Sequence, residues 1–216
     1  AEAEAVLQER PADFVARMVY GRLLLEAGRT REAAEHFEEA VSLFPDYAGP
    51  EHPLRYLAQI DAQAGRPAQA AARLSALAAL NESDLAANME LAQLSTAVGD
   101  SVGALAALGR TLWIYPFDAD VHRKIAEIGM PLLDRTAAIR ARESVVALDP
   151  PDRALALYEL ALTQFQLGGR HVSARANVLQ ALEIAPSYSD ALDLLLRIRE
   201  SEAEWRERRG EAVEDS

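Results

Sequence analysis

Residues 28–45 read "GRTREAAEHFEEAVSLFP" and decide the fold. Apolar and small residues recur there at spacings of three and four, which predicts an amphipathic helix. Gly28 and Pro45 stand at its two ends, where a glycine favours a left-handed turn and a proline stops a helix. Taken alone, the segment predicts one helix whose Ala33 and Phe37 could face any surface.

The same arrangement recurs along the chain, which indicates that those residues have a shared structural role. The interval of 17 residues returns as Gly99 with Pro116 and as Gly169 with Pro186. Two further copies lack either the glycine or the proline. Five alanines share one position, five residues after each starting point: Ala33, Ala70, Ala104, Ala138 and Ala174. Their spacings of 37, 34, 34 and 36 residues indicate an internal repeat.

Each repeat predicts two helices, because the glycine separates two segments of helical periodicity and no alternating run predicts a strand. The aligned alanines, with Gly21, Ala58, Ala92 and Ala126 on the first helices, are predicted to lie where the two helices cross. No single pair can bury its apolar face alone, so the pairs must stack. The predicted organisation is a truncated repeat end (1–11), five pairs within 12–187 (12–46, 51–82, 84–116, 118–150 and 152–186), a capping helix (188–208) and a frayed tail (209–216).

These positions resemble the tetratricopeptide repeat, whose pattern of small, aromatic and proline residues returns every 34 residues. The first repeat resembles it most, through Gly21, Gly28, Ala33, Phe37 and Pro45. The resemblance implies an all-α solenoid, a superhelix of about five antiparallel helix pairs. It also implies that the first helices line a concave groove for a peptide or a partner helix.

Carried over by position, the predicted groove contacts are Met18, Arg22, His52, Arg55, Gln59, Met89, Gln93, Arg123 and Glu127. Leu25, Glu159 and Thr163 extend this surface. Methionine adapts to an apolar partner, and Arg22, Arg55 and Arg123 could clamp carboxylates. The family's Lys and Asn set for a C-terminal carboxylate is missing, since Lys124 is the only lysine.

No catalytic or metal site is predicted. None of the four histidines has a second histidine four residues away, there is no cysteine, and neither a phosphate-binding loop nor a G-x-S-x-G sequence occurs. We therefore expect no enzyme activity, no metal and no cofactor.

Charge and hydrophobicity limit the partners further. The net charge is −12, which disfavours binding to a nucleic-acid backbone. No apolar run is long enough to insert into a membrane, and no signal peptide is apparent. The compartment, cytoplasmic or periplasmic, is left open. The chain begins with Ala rather than Met, so we expect the natural chain to begin earlier.

The segment "YPFD" (115–118) places two aromatic residues between two repeats. We predict that Tyr115 and Phe117 pack at this junction and that Asp118 caps the next helix. An exposed aromatic anchor is the alternative.

The leading functional hypothesis is a non-enzymatic scaffold or adaptor that binds a peptide or partner helix. A second is an accessory repeat domain of a larger bacterial enzyme, because the array is similar to arrays that follow zinc-metallopeptidase domains. Two more alternatives stay open: a helical-repeat RNA binder, which the acidity disfavours, and a subunit of a stable assembly that self-associates.

Overall fold

The computed structural model describes residues 2–132, 135–168 and 171–214, and within them the side chains of residues 3–205. These residues form helices and no strands, so the predicted all-α class is confirmed. The helices are α1 (Glu2–Glu9), α2 (Phe14–Glu26), α3 (Thr30–Leu43), α4 (Pro53–Gln63), α5 (Pro67–Leu80), α6 (Leu85–Ala97), α7 (Ser101–Ile114), α8 (Ala119–Gly129), α9 (Arg135–Ala147), α10 (Arg153–Gln166), α11 (His171–Ile184) and α12 (Ser189–Glu214).

The chain divides into two compact units, unit 1 (Ala1–Pro116) with α1 to α7 and unit 2 (Phe117–Ser216) with α8 to α12. Within each unit every helix packs on the next one in the chain. The pairs α2–α3, α4–α5, α6–α7, α8–α9 and α10–α11 are therefore the five predicted helix pairs, with α1 before them and α12 after them.

Glycines with positive φ connect the two helices of four pairs. Gly28, Gly65 and Gly99 have φ of 75°, 72° and 79°, a conformation that costs glycine little. In the fifth pair Gly168 takes this role, with φ of 75°. The repeat pattern had placed the turn at Gly169, which lies outside the described residues. Ala174 follows Gly168 by six residues, whereas the aligned alanines of the first three pairs follow their turn glycines by five.

Small residues let the paired helices approach closely. The five aligned alanines are fully buried, as their shared position predicted. Gly21 shows how close the two helices of the first pair lie, because a Cβ atom added there would be 2.9 Å from the Phe37 ring. Phe37 is itself fully buried, so the first pair closes around an aromatic ring that only glycine accommodates.

Aspartates begin five of the helices. The side chains of Asp13, Asp84, Asp100, Asp118 and Asp152 each accept a hydrogen bond from a backbone amide of the first turn. The last helix ends later than predicted: α12 continues to Glu214, through a stretch of mainly Glu, Ala and Arg that favours helix. The expected tail from 209 is helical up to that residue.

Candidate functional site

The nine predicted contact residues lie on or just before the first helices of four of the five pairs. Seven belong to unit 1, with Met18 and Arg22 on α2, His52 and Arg55 at the start of α4, Gln59 on α4, and Met89 and Gln93 on α6. Arg123 and Glu127 lie on α8 of unit 2. The structure separates these residues into buried, internally paired and accessible groups.

His52 and Met18 are buried, so predicting them as partner contacts was wrong. His52 is only 1% exposed and caps α4, where its Nδ1 accepts from the backbone amide of Leu54 at 3.0 Å. Burial lowers the pKa of His52, and the nearby Arg55 charge lowers it further. Met18 fills the core of the first pair because it lies on the inward face of α2.

The three predicted clamp arginines already contact carboxylates of their own chain. Arg22 Nη1 lies 2.5 Å from Glu51 Oε2, and Arg55 pairs with Asp84. Arg123 Nη1 lies 2.5 Å from Asp120 Oδ1, one turn earlier on α8. Each of these guanidinium groups therefore already has an internal counter-charge and offers a partner's carboxylate only its remaining N–H donors.

Two of these ion pairs occupy equivalent positions in successive repeats. Arg22 and Arg55 each reach an acid 29 residues further on, at or just before the start of the next first helix. Asp84 also caps α6 by accepting from the amide of Ala87 at 3.0 Å. Burial opposes ionisation of Asp84, but that amide and the Arg55 guanidinium outweigh it and lower its carboxyl pKa. The pairs therefore join α2 to the start of α4, and α4 to the start of α6.

A buried amide supports the same region. Asn88 on α6 is fully buried, and its Nδ2 donates to the carbonyl oxygens of Glu82 and Asp84, both at 2.9 Å. Its Oδ1 accepts from Arg110 Nε on α7 at 2.7 Å. Sequence reasoning missed Asn88, although a polar residue on the inward side of an otherwise apolar helix was a signal.

Three of the predicted residues remain on the surface of unit 1 in a regular row. Arg22, Gln59 and Gln93 each lie six residues before a turn glycine, so they hold one position in three consecutive repeats. We call these three the first-helix row. Gln59 and Gln93 are exposed, Arg22 is partly exposed, and Met89 lies half-buried one turn before Gln93. In unit 2, Glu127 is exposed.

The junction segment also differs from its prediction. Asp118 caps α8, as expected, by accepting from the amides of Asp120 and Val121. Tyr115 and Phe117 are exposed, so a buried packing role is wrong for these two rings. An aromatic ring that could not be placed from the repeat pattern, Trp113 on α7, is the most exposed large apolar side chain among the described residues.

The comparisons with known proteins agree with the repeat fold. The family model of the tetratricopeptide repeat matches residues 1–48 and 132–189. The chain belongs to the tetratricopeptide-repeat family. No curated protein matches it by sequence.

Solved tetratricopeptide-repeat structures share the fold at low sequence identity. YrrB, described as having an unusual peptide-binding site, superposes with a TM-score of 0.61 at 16% identity, covering 89% of this chain and 97% of its own. The tetratricopeptide-repeat domain of P58(IPK) gives 0.53 at 16% identity, covering 99% and 62%. The complex of Naa15 and Naa10 bound to HypK gives 0.77 at 15% identity, covering 95% and 31%.

Within residues 2–132, 135–168 and 171–214, no group of three or more histidine, aspartate or glutamate side chains could hold a metal ion. None of the helices in that part of the chain has the length and apolar character to cross a membrane. The accessible first-helix row and its supports are the surface that the functional proposal below uses.

Proposed function

We propose that this tetratricopeptide-repeat chain is a non-enzymatic scaffold that binds an extended peptide of another protein along the first-helix row of unit 1. The observation that carries the proposal is that Arg22, Gln59 and Gln93 repeat on three consecutive first helices and remain accessible. Members of the family are interaction modules, and this row is where the structure offers a repeated polar surface.

The chemistry of the row suits a peptide backbone. A glutamine amide both donates and accepts hydrogen bonds, as a peptide bond does. Two such amides on successive helices can therefore pair with an extended main chain without selecting one charged side chain. Met89, half-buried beside Gln93, adds an adaptable apolar contact for a partner's side chain.

The supports of the row favour binding without a large ordering cost. The pairs of Arg22 with Glu51 and of Arg55 with Asp84 join the three first helices, and the Asn88 bonds anchor the start of α6. A surface that is already ordered loses less conformational entropy when it binds. In this proposal the ion pairs of Arg22 and Arg55 fix the groove, and Gln59 and Gln93 make the main contacts with the partner, beside the exposed part of Arg22.

The charge of the chain argues for a protein partner over a nucleic acid. The net charge is −12, and Arg22, Arg55 and Arg123 are each paired with an acid of this chain. Phosphate binding requires accessible positive charge. The peptide-binding site ascribed to YrrB supports the proposal only at the level of the shared fold.

The test begins with a peptide screen. A displayed library of random dodecapeptides is selected on the immobilised 216-residue chain, and the affinities of recovered peptides are measured by calorimetry. The double variant Gln59→Ala with Gln93→Ala removes the amides from the row. We expect it to bind about tenfold more weakly or worse, because each lost hydrogen bond is worth about 1 kcal/mol.

Gln69→Ala is the matched control, since Gln69 is exposed on α5, a second helix. It should leave the affinity within about twofold of the wild type. Recovery of no peptide, or equal affinity for the wild type and the double variant, would refute binding at the row.

A further inference from the structure

The connection between the first two helix pairs is longer than the next one along unit 1. Residues 44–52 join α3 to α4, whereas residues 81–84 join α5 to α6. The longer connection accompanies the spacing of 37 residues between Ala33 and Ala70, where the next spacing is 34. We call residues 44–52 the α3–α4 connection. It leads directly into the helix that carries Gln59 of the first-helix row.

Aromatic rings hold the α3–α4 connection in place. The centroid of the Tyr47 ring lies 4.9 Å from that of Phe14 and 5.8 Å from that of Phe44. It lies 5.7 Å from the centroid of the His52 ring. Gly49 packs directly on Tyr47, because a Cβ atom added there would collide with the tyrosine hydroxyl. Phe44 is still 49% exposed, so a few ring contacts near the surface close the connection.

His52 fixes the end of the connection in a way that depends on its proton. Its Nδ1 accepts from the Leu54 amide at 3.0 Å, and the residue is 1% exposed. An accepting Nδ1 carries no proton, so this capping bond exists only with the neutral ring. A proton on Nδ1 would set a donor against a donor and would bury a charge. The charged ring must therefore leave the capping position.

The groups around His52 do not compensate for such a charge. Burial is the largest effect and lowers the pKa of His52, and Arg55 on the same helix lowers it as well. The backbone carbonyl of Tyr47 and the carboxylate of Asp84 raise the pKa, but they do not outweigh burial. Asp84, at the start of α6, is already paired with Arg55. The proton is therefore accommodated only when the ring moves into water.

An acid next to His52 links the connection to the first-helix row. Glu51 Oε2 lies 2.5 Å from Nη1 of Arg22, the first residue of the row. Because Glu51 already balances Arg22, it does not supply a separate counter-charge for His52. Gln59, the second residue of the row, lies on α4, whose first turn His52 caps. The connection thus fixes Arg22 relative to the start of α4.

We propose that the α3–α4 connection is a pH-dependent switch that controls the first-helix row. In the closed state, neutral His52 caps α4 and Glu51 holds Arg22. When His52 takes a proton from water, its ring leaves the cap, the connection opens and the ion pair with Arg22 is lost. The row then loses the fixed spacing between α2 and α4, so acid weakens peptide binding. This inference rests on the proposed function, whose site it regulates.

The switch responds over a defined range of pH. In the open state the histidine has the pKa of about 6.5 of an unfolded chain, whereas in the closed state its pKa is lower. The closed state is therefore fully favoured above about pH 6.5 and loses stability as the pH falls below it. Opening becomes more favourable by at most about tenfold per pH unit. The test stays above about pH 5.5, where carboxylates of ordinary pKa remain ionised.

Hydrogen exchange at the Leu54 amide tests the switch without any peptide. NMR of the 216-residue chain gives the protection of this amide, which is the factor by which it exchanges more slowly than in an unfolded chain at the same pH. From about pH 7.0 to about pH 5.5 the protection should fall about four- to eightfold in the wild type. His52→Asn keeps a capping side chain that does not titrate, so its protection should change by less than about twofold.

Two controls separate this opening from other effects of acid. His36 on α3 also has a lowered pKa, first from burial and then from Arg17, but it lies outside the connection. His36→Asn should therefore keep the full pH response of the Leu54 amide. Leu108 on α7 is 1% exposed, and its amide should be better protected than that of Leu54 at every pH, because the proposed opening is local.

A peptide that binds the row tests the regulation itself. If binding requires the closed state, a peptide at about ten times its Kd should raise the Leu54 protection about tenfold at about pH 5.5. In the double variant Gln59→Ala with Gln93→Ala, which is expected to bind about tenfold more weakly, the same concentration should raise the protection about twofold or less.

The outcomes distinguish this inference from the proposed function. Constant Leu54 protection in the wild type, or an equal fall in His52→Asn, would overturn the switch even if peptides bind the row. Equal protection of the Leu54 and Leu108 amides would do the same, since it would show that only global unfolding exposes them. A bound peptide that leaves the Leu54 protection unchanged would overturn the regulation. Recovery of no peptide, with the pH response intact, would instead refute the proposed function and the regulation that rests on it.

Discussion

Phe37 in unit 1 and Arg142 in unit 2 hold the same place in their repeats with different chemistry. Each follows an aligned alanine, Ala33 or Ala138, by four residues on a second helix. Each contacts a residue of the next first helix that lies nine residues before the turn glycine. In unit 1 that residue is Tyr56, and in unit 2 it is Glu159. One repeat contact is therefore an aromatic stack and the other is an ion pair.

The aromatic contact is apolar and tightly packed. The Phe37 and Tyr56 rings are stacked, with centroids 4.7 Å apart and planes 9° apart. Phe37 is fully buried, and Gly21 leaves the room that its ring needs. Such a contact gains from burial and from ring packing.

The ionic contact is buried at a cost. Arg142 is buried, its Nη1 lies 2.6 Å from Glu159 Oε2, and its Nε has no hydrogen-bond partner. Removing an arginine from water is offset only where its donors are satisfied. Both units therefore place a large side chain at this position of the repeat. Whether that side chain is aromatic or charged determines how the contact responds to mutation.

The largest expected effect breaks the aromatic contact. Phe37→Ala should lower the free energy of unfolding by about 3–5 kcal/mol, because it leaves a cavity and removes the stack on Tyr56. Urea denaturation followed by circular dichroism measures the loss. Phe37→Leu is the control, since Leu74 and Leu108 hold the same place in the next two pairs, and it should cost less than half as much. Equal costs for the two variants would contradict a specific aromatic contact.

A smaller effect is expected from the ionic contact. Glu159→Gln keeps the shape but leaves the buried Arg142 without its counter-charge, and should lower the free energy of unfolding by about 1–3 kcal/mol. Arg142→Leu introduces the leucine that the second and third pairs carry at this position. It should lower the free energy of unfolding by less than Glu159→Gln does, because the Glu159 carboxylate that it leaves unpaired is partly accessible to water. Hydrogen exchange should locate the first change between α9 and α10. The comparison fails if Arg142→Leu proves the more damaging variant.

The repeat could be predicted from the sequence because its signals are local. The aligned alanines, the turn glycines and the resemblance of Gly21 and Phe37 to the family pattern each depend on a fixed spacing. The added residue beyond Gly168 was missed because two adjacent glycines fit the same turn.

The candidate site was predicted less well, because side-chain pairing is not periodic. Position alone placed Arg22 and Arg55 on the first helices, but it did not reveal that Glu51 and Asp84 bind them. A search for an acid 29 residues after each arginine would have found both pairs. His52 was misplaced because a helix-capping residue and a surface residue look alike in sequence.

The smallest expected effect concerns pH and arises at His52, which caps α4, the helix that carries Tyr56. His52 has a lowered pKa in the folded chain, first because it is buried, whereas an unfolded histidine has a pKa of about 6.5. The unfolded chain therefore binds the proton more readily, so the stabilisation is complete above about pH 6.5 and decreases as the pH falls below it. One histidine contributes a slope of at most about 1.4 kcal/mol per pH unit.

His52→Asn isolates this contribution, because asparagine also caps a helix but does not titrate. The difference in unfolding free energy between wild type and variant should shrink or change sign as the pH falls from about 7.5 to about 5.5. A slope of the same sign should persist in the variant, because the pKa of His36 is also lowered, first by burial and then by Arg17. Parallel curves for the two proteins would show that His52 has the same pKa in the folded and unfolded chain, and would contradict the lowered pKa.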